Sequence, residues 1–107
     1  MKEVQYHWNL YLGSGIDSFD LKKIKDKLNK NPAAADLYLI TRALNKSDQL
    51  DIYHSKYLIQ KFYADHPPYI IGIAKSKADA IVLVEQIVQE CVAARKDADL
   101  IAYLCGD

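Results

Sequence analysis

The run Tyr69-Ile70-Ile71-Gly72-Ile73-Ala74 constrains this chain more than any other stretch, because it is apolar almost throughout. A strand with no polar face belongs inside a sheet, so residues 69–74 are predicted to form a central buried strand. Gly72 within it points to a neighbouring backbone or side chain that comes close. Immediately after, Ser76 heads "SKADAIVLVEQIVQECVAARK" with Asp79 three positions on, the pattern of a capped helix start. Ile81, Val84, Val88 and Cys91 are predicted to line its inner face, widened by Ala80, Leu83, Ile87 and Val92. Arg95 and Lys96 close it near the negative end of the helix dipole.

The rest of the chain supplies partners for that unit. Residues 5–12, "QYHWNLYL", alternate with period two: Tyr6, Trp8, Leu10 and Leu12 on one face, Gln5, His7, Asn9 and Tyr11 on the other. "LYLITRAL" at 37–44 and "LDIYHS" at 50–55 are two further predicted strands, joined by the turn "NKSDQ" into an antiparallel hairpin. After Gly13-Ser14-Gly15, Asp17 is a predicted N-cap, and Leu21, Ile24 and Leu28 form an apolar stripe that Phe19 extends. Lys22, Lys23, Lys25, Lys27 and Lys30 cover the other side, and Pro32 ends the helix. Residues 56–68 fit neither period and are expected to be an ordered connector with one helical turn; the tail is expected to dock as a final turn.

The order β-α-β-β-β-α implies an α+β fold, and 107 residues suit a single domain. The expected architecture is a four-stranded, mainly antiparallel sheet with two helices packed on one face and a short C-terminal tail.

Composition narrows function mostly by exclusion. Fourteen basic residues balance fourteen acidic ones, which argues against nucleic acid and anionic membranes as partners. There is no apolar run of about eighteen residues to span a bilayer and no leader pattern at the start. Cys91 and Cys105 form no Cys-x-x-Cys pair and are expected to be free thiols in a cytoplasmic protein. His7, His54 and His66 lack the close spacing of a metal site. No Gly-x-Ser-x-Gly elbow is present and Cys91 falls in an apolar stripe, so no catalytic residue, metal or cofactor is assigned.

Two candidate sites remain. Gly13, Ser14 and Gly15 precede a helix start, with Lys22 and Lys23 near enough to reach a small anionic or phosphate ligand. Against this, Ser18 stands where a dinucleotide fingerprint has glycine, and Asp17 puts a carboxylate where the phosphate would sit. A turn and cap is the favoured reading there. The second candidate is the aromatic connector: Tyr57, Leu58, Phe62, Tyr63 and Tyr69, rimmed by Lys56, Lys61, Asp65 and His66, read as an interface of a homodimer. Its competitor is a lid folded over the sheet. The leading expectation is a non-catalytic interaction or regulatory protein acting as a homodimer, ahead of a small-molecule or phosphate-binding domain using Gly13–Asp17.

The block "PYIIGIAKSKADAIVLVEQIV", together with "YHWNLYLGSGIDSF" and "QLDIYHSKYL", resembles a small bacterial protein family of unknown function with a C-terminal strand–Gly-Ile-Ala–helix unit. The resemblance spans nearly the whole chain. It implies a small intracellular α+β protein and no activity, cofactor or catalytic residue.

Overall fold

The computed structural model describes residues 4–44 and 48–106, and its elements are as follows. Strand β1 (Gln5–Leu12) leads through a 3₁₀ turn (Ser18–Asp20) into α1 (Leu21–Lys30) and the short α2 (Pro32–Ala35). The hairpin β2 (Tyr38–Arg42) and β3 (Leu50–His54) follows, then a 3₁₀ turn (Ser55–Ile59) and α3 (Lys61–Asp65). The chain ends with β4 (Tyr69–Ala74), α4 (Lys77–Arg95) and α5 (Leu100–Cys105). Part of the expected "NKSDQ" turn, residues 45–47, lies outside the described residues.

The four strands form one mixed sheet in the order β1-β4-β2-β3. β4 pairs parallel to β1 and antiparallel to β2, while β2 and β3 form the expected antiparallel hairpin. The α+β fold and the central position of β4 are therefore as expected. The layering needs a correction: helices cover both faces, not one. Ile40, Ile71 and Ala74 join Ala80, Leu83, Ile87 and Cys91 of α4 and Leu100 and Leu104 of α5 in one buried cluster. Leu39, Ile70 and Ile73 join Leu28 of α1, Leu37 and Leu58 in a second. The reason is β4 itself, whose apolar side chains on both faces each demand a cover. Ile71 is the extra residue where β4 slips against β2, since Ile40 pairs with Gly72 and Thr41 with Ile70. Gly72 meets the expected close approach: a Cβ there would lie 3.0 Å from Ile40 Cδ1 and 3.3 Å from the Tyr11 carbonyl.

Double-sided cover also leaves β1 with buried or partly buried residues on both of its expected faces. His7 and Tyr11 are buried, Tyr6 and Leu10 pack on the second cluster, and Trp8 is 86% exposed. Between Tyr6 and Tyr11 the pairing with β4 slips by three residues. The buried face of α4 is rotated from expectation, while the α1 stripe of Leu21, Ile24 and Leu28 is as expected apart from Phe19. α4 buries Ala80, Leu83, Ile87 and Cys91 but leaves Ile81 and Val92 largely exposed. Phe19 is exposed because it lies in the 3₁₀ turn, off the period of α1.

The caps follow local chemistry. Asp17 Oδ1 accepts from the Phe19 amide at 3.0 Å and Ser76 Oγ from that of Asp79 at 3.1 Å, as expected. Pro32 ends α1 but also opens α2, for which Asn31 is the cap. The tail forms α5, capped by Asp99 and held by Gln49, whose Oε1 accepts from the Leu100 amide at 2.6 Å. Among the described residues no helix is long and apolar enough to cross a membrane.

Candidate ligand-binding cleft

β1 and β4 are parallel neighbours, so their carboxyl ends lie side by side. The helix after β1 covers one face of the sheet and the helix after β4 covers the other. Chains that part in this way leave a crevice outside the strand ends, the place where open α/β sheets hold ligands. A cleft of about 260 Å³ lies there. Gly15 and Ile16 enter it from the loop after β1, and Asp20, Lys23, Ile24 and Lys27 from α1 and the turn before it. Ala35 and Leu37 form another wall, and Lys75, directly after β4, closes the rim.

The loop is shaped by its glycines. Gly13 donates its amide to the Ile73 carbonyl at 2.8 Å, and a Cβ on it would stand 2.9 Å from the Ala74 Cβ. Gly15 adopts φ +80°, and the Lys75 ammonium sits 3.3 Å from where its Cβ would be. A glycine there therefore lets Lys75 lie across the loop. Lys23 and Lys27 stand one helical turn apart on the same side of α1 as Ile24. The rim thus carries three ammonium groups against the single carboxylate of Asp20, above apolar side chains. None of the three has a hydrogen-bond or ion-pair partner among the described residues.

The anion reading changes in its details. Asp17 caps the 3₁₀ turn that leads into α1, and Ser76 caps α4, while Asp20 at the start of α1 itself makes no side-chain cap bond. Gly15 and Lys23 line the cleft; Gly13 is buried behind it, and Ser14 and Lys22 are not among the lining residues. Sequence reasoning missed Lys27, readable from its i, i+4 spacing to Lys23, and Lys75, which only the β1–β4 pairing brings near.

The connector divides between inside and outside. Leu58 is buried in the second cluster and Tyr63 packs against it, tilted over Tyr53 with ring centres 5.4 Å apart. Tyr57 and Phe62 are exposed, as is Ile59, and Phe62 stacks on His66 at 4.7 Å. Tyr69 belongs to β4 and packs against the first cluster.

Other polar groups are engaged in structure. His7 and His54 sit on opposite edge strands. His7 Nε2 lies 2.7 Å from the Leu104 carbonyl, and His54 Nε2 lies 2.7 Å from Asp36 Oδ1. Among the described residues no three His, Cys, Asp or Glu side chains cluster as a metal would need. Glu90 accepts from Tyr11 at 2.8 Å, from Tyr103 at 3.3 Å and from Gln86 at 2.9 Å. These bonds, that of Gln86 foremost, hold its carboxyl below the usual range, whereas burial pushes Tyr11 and Tyr103 above theirs. Burial likewise pushes the Cys91 thiol up, and both cysteines are free. A larger depression of about 640 Å³ at the far end of the sheet is lined by Tyr69, Asp99, Ile101 and the committed Gln49.

Comparison with family models, curated proteins and solved structures finds no match to this chain.

Proposed function

We propose that this chain is a non-catalytic binding protein whose cleft takes a small anion bearing an apolar group. Lys23, Lys27 and Lys75 would hold a carboxylate or phosphate head, and Ile16, Ile24, Ala35 and Leu37 the apolar part. The single observation that carries this is the convergence of three unpaired ammonium groups on one apolar-walled crevice at the chain's topological switch point. Binding is favoured over catalysis because the acid and phenols that meet at Glu90 are shifted away from neutrality. Glu90 is held ionised and Tyr11 and Tyr103 protonated near pH 7, so none is poised to exchange a proton there. Free thiols, one of them buried, fit a reducing cytoplasm.

Hexyl phosphate, inorganic phosphate and hexanol, titrated while amide resonances are followed, test the reading. Hexyl phosphate is expected to bind tightest and to shift Gly15, Ile16, Lys23 and Lys75 together. Lys75→Gln is expected to weaken it about tenfold, the loss of one charge-assisted hydrogen bond. Equal affinity for inorganic phosphate would remove the apolar half of the proposal, and unchanged affinity in Lys75→Gln would remove the rest.

A further inference from the structure

The two edges of the sheet are built differently. β1 slips by three residues against β4 and carries polar Gln5 and Asn9, so its free edge is irregular. β3 pairs with β2 at five successive positions, from Leu50–Arg42 to His54–Tyr38, with no slip. It contains no lysine, no proline and no bulge, three of the devices by which natural sheets protect an edge, and Asp51 is its one acidic side chain. Ser55 donates to Leu37 at one end of the hairpin and Gln49 accepts from Ala43 at the other. By alternation, Asp51 and Tyr53 bond toward β2, and the backbone groups of Leu50, Ile52 and His54 point to the open edge.

Beside that edge runs an apolar groove of about 310 Å³, lined by Ile52 with Ile81, Val84 and Val88 of α4 and bordered by Glu85 and Gln89. Ile81 is 43% exposed at its mouth. The charges along the strand are unequally placed. Lys56 and Lys77 share a depression at its carboxyl end, where His54 is paired with Asp36, whereas Asp48 and Asp51 lie at its amino end.

We infer that β3 pairs antiparallel with β3 of a second copy of this chain, extending the sheet across a two-fold axis at Ile52. In that register Ile52 faces its counterpart, Leu50 faces His54, and Asp51 faces Tyr53, so no like charges meet along the strand. Lys56, in the 3₁₀ turn just beyond the carboxyl end of each β3, comes to the same end of the pair as Asp48 of the second copy, so the basic end of each edge meets the acidic end of the other. Ile81, Val84 and Val88 of the two copies then close the groove over the new strand pair. The surface is separate from the lysine-rimmed cleft and from the exposed connector aromatics.

Sedimentation velocity of the full chain over a concentration series tests this. The wild type is expected to associate as a dimer. Ile81→Lys is expected to sediment as a monomer with an unchanged circular dichroism spectrum, because Ile81 already stands partly in solvent. Lys56→Glu is expected to weaken association tenfold or more, and Asp48→Lys added to it to recover most of the loss. Amide exchange at Ile52 is expected to slow as wild-type concentration rises. A wild type that stays monomeric at high micromolar concentration overturns the inference. So does an undiminished dimer in Ile81→Lys, or a dimer lost instead on changing Ile59 and Phe62 to serine.

Discussion

On one face of the sheet a single 19-residue helix, α4, covers three strands, with α5 locked beside it. On the other face the cover is assembled from α1, α2 and the connector, none longer than 10 residues. The first face is closed by specific bonds between distant elements. Tyr11 of β1 and Tyr103 of α5 both donate to Glu90 of α4, and His7 of β1 reaches the Leu104 carbonyl of α5. The second leaves a cleft where α1, the loop after β1 and Lys75 do not meet. A long helix over three strands buries its central stripe and leaves a groove only at the β3 edge, whereas short pieces that each need their own caps and turns leave room between them. The bonds between distant elements lie on one face and the proposed binding cleft on the other.

The strongest way to break this comparison is to truncate one fully buried side chain on each face. Ile87→Ala and Leu28→Ala are each expected to cost about 2–5 kcal/mol, measured by urea denaturation. Ile87 stands in the continuous cluster and is expected to cost more, because the short pieces around Leu28 can relax toward the cleft. A larger loss at Leu28 would overturn that order.

A smaller effect sharpens the reading of the cleft loop. Asp17→Ala removes the acceptor for the Phe19 amide and is expected to cost about 0.5–2 kcal/mol, lowering the melting temperature. Because the Asp17 carboxylate is bonded at the helix start and does not line the cleft, hexyl phosphate affinity is expected to stay the same. A stabilised Asp17→Ala protein that gains further with phosphate would show that the residue repels a ligand instead of capping.

The smallest effect concerns pH and belongs to the closed face. Glu90 has its carboxyl lowered in the folded protein, so its contribution is present above the ordinary glutamate range. It is lost as pH falls through that range and below it, where the carboxylate takes up a proton and its acceptor bonds weaken. Glu90→Gln is therefore expected to flatten part of the acid limb of the stability profile, with no change in slope between pH 6 and 8, far above any lowered carboxyl. An unaltered acid limb would show that the bonds from Tyr11, Tyr103 and Gln86 do not favour the charged form.

Much of the fold was legible because it depends on neighbours in sequence. Asp17 and Ser76 cap helices since each has free amides two or three residues ahead. β4 is central since it lacks a polar side, and Gly72 marks a real close approach. The hairpin of β2 and β3 follows from a short connection. The cleft was only half legible. Gly15 and Lys23 were visible beside a helix start, but Lys75 lies some sixty residues away and reaches Gly15 only through the parallel pairing of β1 with β4. Phe19 continued a local period and is exposed because a 3₁₀ turn shifted the phase, while Trp8 is exposed in the stretch where β1 slips against β4.

What the amino-acid order determined alone is the set of elements, their caps and the need of β4 for cover, since periodicity and capping act over a few residues. Tertiary structure alone decided that α1 and α4 would lie on opposite faces. That choice depends on which strands pair, and pairing depends on contacts between residues far apart in the chain. The apolar side chains of β4 can be satisfied only when both faces are covered at once. The crevice between β1 and β4, and the arrival of Lys75 beside Lys23 and Lys27, follow from that separation.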